Sequence, residues 1–137
     1  AYRELIHGIE RTKHNTGLVL NLALSYSGRQ EIVDAVREIA QKVKAGLIQP
    51  EEIGEKAFAA HLHSYDLPDP DLLIRTSGES RISNFLLWQI AYTEIYVTQT
   101  LWPDFRRDEF HKAMSNYMSR ERRFGRVSDQ TVQNATS

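Results

Sequence analysis

Arg75, Arg81 and Ser83 are the residues whose types and spacing could do chemistry in this sequence. They lie in the stretch 72–94, LLIRTSGESRISNFLLWQIAYTE. Arg75 leaves the end of a short apolar run, a Ser-Gly turn follows, and Arg81 and Ser83 stand where the next apolar segment begins. Guanidinium groups keep their charge at any working pH and meet phosphate oxygens two at a time. Two of them with a hydroxyl, outside the carboxyl end of a strand in an open α/β sheet, suit a phosphate or diphosphate. The amides and dipole of a helix opening there would add to the attraction. Gly78 lets backbone and ligand approach closely. Plainer uses of the same residues stay open. Arg75 could pair with Asp69 or Asp71, and Arg81 could be a solvated loop charge. Ser83 could be only a helix N-cap, a role that stabilises by ~1 kcal/mol.

The elements that would position these groups alternate between helix and strand. Tyr2 to about Lys13 predicts a helix with Leu5, Ile6 and Ile9 on one face, and Gly17 a stop. The apolar run Leu18–Leu24 predicts a strand buried on both faces. Ser27 to Lys44 predicts the clearest helix. Ser27 and Gln30 have capping-box spacing there, and Ile32, Val36, Ile39 and Val43 form a core-facing stripe. Pro50 opens a shorter helix, with Ala57, Ala60 and Leu62 facing inward. Two prolines keep 67–71 irregular. Leu72–Ile74 predicts a second strand, Asn84–Tyr92 a helix, Ile95–Val97 a third strand and Arg107–Arg122 a second amphipathic helix. Phe85, Trp88 and Tyr92 recur at helical spacing, as packing residues do. This order predicts an α/β layer with a parallel sheet and flanking helices.

Composition narrows the function classes. A chain of 137 residues makes one domain with one core. Its formal charge of -1 gives no global field for nucleic acid or an anionic membrane. With no cysteine, disulfide scaffolds and thiolate metal sites are excluded. No apolar run reaches the length of a membrane span, and the first residues lack a signal-peptide core. The sequence opens directly in helix-like residues without methionine, which suggests a fragment. His61, His63 and His111 have no metal-ligand spacing, and no Ser-His-Asp order makes a triad.

The stretch RTSGESRISNFLLWQIAYTEIYV is similar, nearly residue for residue, to the signature of undecaprenyl and dehydrodolichyl diphosphate synthases, the cis-prenyltransferases. SYSGRQEIVDAV, LWPDF and RERRFG continue the match in order, so the resemblance runs from about Leu5 to Gly125. The resemblance implies that Arg75, Arg81 and Ser83 hold isopentenyl diphosphate and that Glu94 helps hold Mg²⁺. Arg123 and Gly125 would belong to an Arg-x-Gly motif that reaches the partner's diphosphate across a homodimer. Arg29 falls in a family motif without an assigned ligand role. Ser25 and Ser27 depart from the family's Asn-Tyr-Gly-Gly-Arg, and Ser77 stands where many relatives have glycine.

The family's Asp-Gly-Asn-Arg motif, which carries the catalytic aspartate, is absent here. The expectation is therefore the C-terminal part of a single cis-prenyltransferase domain over 1–126, with a flexible polar tail over 127–137. Alone, this part is expected to be weakly folded and inactive. The intact enzyme would condense isopentenyl diphosphate onto an allylic diphosphate such as farnesyl diphosphate, giving a cis-polyprenyl diphosphate. Peripheral membrane contact through the product, no nucleic-acid partner, and a cytoplasmic or plastid setting are further expectations. The alternative is a non-catalytic subunit of a heteromeric cis-prenyltransferase. Such subunits usually lose the arginine-serine set and keep Arg-x-Gly; both are present here, which favours the enzyme.

Overall fold

The computed structural model describes residues 2–120. The first helix, α1 (Tyr2–Thr12), forms where its periodicity predicts, but none of its residues is buried and Ile6 and Ile9 face solvent. The second helix, α2 (Gly28–Lys44), opens on Ser27, whose extended backbone turns its hydroxyl to accept the Gln30 N–H at 3.3 Å. Of the expected stripe only Ile39 is buried, in a face shared with Glu31 and Ala35; Ile32 and Val43 are half-buried and Val36 is exposed. A short 3-10 turn at Pro50–Glu52 leads into α3 (Glu55–Ala59). Beyond α3, Leu62 is buried while Ala60 is exposed.

Two strands, β1 (Leu72–Arg75) and β2 (Glu94–Val97), pair in parallel, with Leu72 opposite Glu94 and Arg75 opposite Val97. The last described helix is α4 (Arg107–Met118), in which Ala113 is fully buried and Phe110 is exposed. Rings pack between elements, Phe58 on Trp88 at 4.5 Å and Tyr26 edge-on to Phe85 at 5.7 Å.

Two predicted elements do not form. Leu18–Leu24 is irregular, and its leucines are exposed, Leu18 by 94%. A strand needs a ladder, and among the described residues β1 and β2 pair only with each other. Residues 84–92 form successive turns instead of a helix. Ser83, Asn84 and Leu86 take left-handed φ values of 49°, 64° and 45°, which break the helical ladder. Tertiary hydrogen bonds overrule helix propensity here. The Asn84 carbonyl and carboxamide cap α2, and Gln89 is drawn inward to Glu31 and Ser64.

Candidate functional site

Arg75 ends β1, and the loop behind it is laced to the chain that leaves β2. Thr98 donates to the Arg75 carbonyl at 2.9 Å, Gly78 to Thr98 at 2.8 Å, and Ser77 to Thr100 at 2.9 Å. Ser77 and Gly78 both have φ of 67°, a left-handed pair that turns the chain sharply. A Cβ on residue 78 would meet only the flexible end of the Gln99 side chain, which can shift, so the left-handed backbone is what favours glycine here.

This turn directs Glu79 back between the two arginines. Arg75 Nη2 donates to Glu79 Oε2 at 3.2 Å and to the Ser83 hydroxyl at 3.4 Å. Arg81 Nη2 pairs with the same Glu79 oxygen. The side chain of Arg75 is 34% exposed and that of Arg81 71%, so one guanidinium is fixed in the wall and the other stands in solvent. The Arg75 Nε is buried without a hydrogen-bond partner among the described residues. Both guanidinium groups therefore converge on one anionic oxygen, with a hydroxyl beside them.

Ser83 does not cap a following helix, because none begins there, and the helix dipole expected at this point is missing. The next residue reaches another helix instead. Asn84 Oδ1 accepts the Arg29 N–H at 2.9 Å, and Asn84 Nδ2 donates to the Ser27 hydroxyl at 2.8 Å. Gly28 N–H donates to the Asn84 carbonyl at 2.9 Å, so the end of this loop is clamped to the start of α2.

Glu94 is not brought to the arginines. It begins β2 opposite Leu72, three positions along the ladder from the Arg75 pairing, about 10 Å by strand rise. Its carboxylate receives Arg120 Nη1 at 2.7 Å, and Arg120 is oriented by Asn116 at 2.7 Å. Among the described residues no three His, Asp or Glu side chains gather where one metal ion could be held. Mg²⁺ demands near-octahedral oxygen ligands, so Glu94, already paired with an arginine, could supply one ligand but does not by itself make a magnesium site. Arg123 and Gly125 lie outside the described residues, as do the last residues of the predicted Arg107–Arg122 helix and the tail 127–137.

Sequence spacing alone missed Glu79 and Glu31. The signal for Glu79 is its place four residues after one arginine and two before another. Glu31 shares one helical face with Ala35 and Ile39, at steps of four. It is 1% exposed and takes bonds from the Tyr26 hydroxyl, the His63 N–H at 2.8 Å and Gln89 at 3.2 Å. The Tyr26 phenol is pushed well above its ordinary pKa, first by burial, then by its hydrogen bond to Glu31 and by that carboxylate's charge. Beside this pair lies a cavity of about 310 Å³, lined by residues 21–27 with Gln30, His63 and Leu86, and separate from the arginines.

Fold and site together define an α/β protein with a cationic notch at the carboxyl end of a parallel strand. Comparison with known proteins makes the assignment specific. The profile of the family described as putative undecaprenyl diphosphate synthase matches residues 2–125, and the chain belongs to that family. It is 56% identical over 126 residues to an isoprenyl transferase of Chlorobaculum tepidum, covering 92% of this chain and 48% of that protein. An isoprenyl transferase of Heliobacterium mobile is 58% identical over 125 residues, with coverage of 91% and 48%. The chain thus spans about half the length of the curated relatives it matches. Among solved structures, lavandulyl diphosphate synthase of Lavandula x intermedia, in complex with dimethylallyl diphosphate, superposes with a TM-score of 0.85 at 40% identity. That match covers 90% of this chain and 53% of the other. A probable undecaprenyl diphosphate synthase of Campylobacter jejuni gives 0.72 at 38% identity, covering 91% and 56%. The fold is the cis-prenyltransferase α/β fold, and among the described residues no helix is long and apolar enough to cross a membrane.

Proposed function

We propose that this chain carries the isopentenyl diphosphate-binding part of a cis-prenyltransferase, with Arg75, Arg81 and Ser83 as the groups that grip the diphosphate. The observation that carries this reading is the convergence of both guanidinium groups on one carboxylate oxygen, beside the Ser83 hydroxyl. An oxygen of a diphosphate has the same charge and hydrogen-bonding needs as that carboxylate oxygen. Holding isopentenyl diphosphate there fixes its double bond toward an allylic diphosphate such as farnesyl diphosphate. Positioning and fixed positive charge are then this chain's contributions to condensation. The allylic class of co-substrate is supported by the dimethylallyl diphosphate complex of the lavandulyl diphosphate synthase.

Mg²⁺, where it takes part, would neutralise diphosphate charge. Glu94 is the single ligand proposed from this chain, and the other oxygens would come from diphosphate, water and carboxylates elsewhere. A homodimer in which Arg123 and Gly125 approach the partner's diphosphate, one domain over 1–126 with a polar tail, and peripheral membrane contact through product belong to the same proposal. So does a cytoplasmic or plastid setting. Without an aspartate from an Asp-Gly-Asn-Arg motif, this chain alone is expected to bind substrate but not to turn it over.

Calorimetric titration of isopentenyl diphosphate into the 137-residue chain tests the grip. Arg81→Ala is expected to raise Kd by about 10-fold to 100-fold, the range of a lost charge-assisted bond. An unchanged Kd removes Arg81 from the site.

A further inference from the structure

The same carboxylate that marks the notch also fills it. We propose that Glu79 sets the affinity of the arginine pair by acting as an internal competitor, occupying the position of a diphosphate oxygen and swinging out when diphosphate binds. This rests on the reading above that the pair receives a diphosphate.

Three observations carry it. First, one oxygen, Glu79 Oε2, serves both Arg75 Nη2 and Arg81 Nη2, which is how a non-bridging diphosphate oxygen shared by two guanidinium groups would be held. Second, Glu79 fits the notch only in part. Arg75 can present two N–H groups along one edge, yet its Nε is buried and takes no bond from Glu79 or any other described residue. A phosphate group, with three oxygens around one centre, can engage Nη2 and Nε together, and so fits better than the resident carboxylate. Third, the parts that must move are free to move. The Glu79 side chain is one-third exposed and that of Arg81 71% exposed. The backbone of the turn is pinned by the Ser77 and Gly78 hydrogen bonds to Thr100 and Thr98. Release therefore needs only rotation of the Glu79 side chain, with the loop in place.

Charge decides the sign of the effect. With Glu79 inward, the three side chains sum to one positive charge; with Glu79 removed, the two arginines present two. Arg75 does not depend on Glu79 for its position, because the Ser83 hydroxyl and partial burial also hold it. Removing the carboxylate is thus expected to strengthen anion binding, not to disorder the site.

The test titrates inorganic pyrophosphate, then isopentenyl diphosphate, into the 137-residue chain and its Glu79→Gln variant, with Arg81→Ala and the double variant completing a cycle. Glu79→Gln keeps shape and removes charge. It is expected to tighten pyrophosphate binding about threefold to tenfold, the range of one or two partly exposed ion pairs. The gain should shrink in the Arg81→Ala background, because the competitor then has one guanidinium fewer to hold; a purely structural role would leave it unchanged. Equal or weaker binding by Glu79→Gln, with far-UV circular dichroism unaltered, overturns the competitor role and leaves the diphosphate notch standing. If neither the chain nor Glu79→Gln binds pyrophosphate or isopentenyl diphosphate, the notch itself is wrong and the competitor falls with it.

Discussion

Glu31 is a carboxylate with 1% of its surface exposed, and a buried carboxylate survives only if both oxygens find donors. Its Oε1 takes the His63 N–H at 2.8 Å, its Oε2 takes the Tyr26 hydroxyl, and Gln89 Nε2 lies 3.3 and 3.2 Å from the two. Glu31→Ala would strand these donors away from water. We expect a loss of about 3 kcal/mol in urea unfolding, a large share of a small domain's stability. Glu31→Gln should cost less, since a carbonyl oxygen remains to accept. Tyr26 carries the pH signature of the same cluster. Its pKa is raised by burial, by the hydrogen bond to Glu31 and by that group's charge, so the folded chain keeps the phenol proton after the unfolded chain has lost it. The associated stability is whole below about pH 10, the ordinary tyrosine value, and drains as pH climbs past it. Ultraviolet difference titration should show one tyrosine ionising later than the rest, and Tyr26→Phe should abolish that late component. A late component that survives in Tyr26→Phe would assign it to another residue.

At the scale of elements, α2 holds the site loop through its first turn. A helix leaves its first N–H groups unpaired, and here Ser27 takes the Gln30 N–H while Asn84 takes those of Arg29 and Gly28. Asn84→Ala removes the carboxamide from both ends of this clamp, and a cost of about 1–2 kcal/mol is expected in thermal or urea unfolding. Pyrophosphate affinity should fall with it, because residue 84 fixes the neighbouring Ser83; stability lost with affinity intact would separate the clamp from the site. The sequence displays α1, α2, α4 and both strands of the sheet because their signals are local: a capping serine, an apolar period, a turn at Gly78. It hides the turns of 84–92, since NFLLWQIAY has helical spacing and its polar side chains are diverted by distant partners, Ser27 and Arg29 for Asn84 and Glu31 and Ser64 for Gln89. Arg75, Arg81 and Ser83 are legible from residue type. Glu79 between them reads as ordinary charge alternation, and the separation of Glu94 from Arg75 becomes visible only with the strand register.

For the molecule as a whole, the decisive imbalance is between a small sheet and a long apolar segment outside it. β1 and β2 have four residues each, too few to be stable without packing from α4 and the surrounding loops. Meanwhile Leu18, Leu20 and Leu24 are 94%, 76% and 66% exposed. Each buried leucine would contribute about 1.5–3 kcal/mol, and here that contribution is unrealised. An unpaired, uncharged run of this kind is also a template for association between chains. Leu18→Lys combined with Leu20→Lys is therefore expected to lower light scattering on concentration while changing the unfolding free energy, read from urea titration, by no more than about 0.5 kcal/mol, as exposed substitutions do. Ile39→Lys, placing a charge at a buried face of α2, should unfold the chain by contrast. Amide exchange gives an independent reading, with residues 18–24 exchanging near the rate of free peptide and the β1 and β2 ladder protected. If the double lysine variant lost several kcal/mol, or if 18–24 were protected, the segment would be packed as a strand in solution, and the sheet would be wider than two.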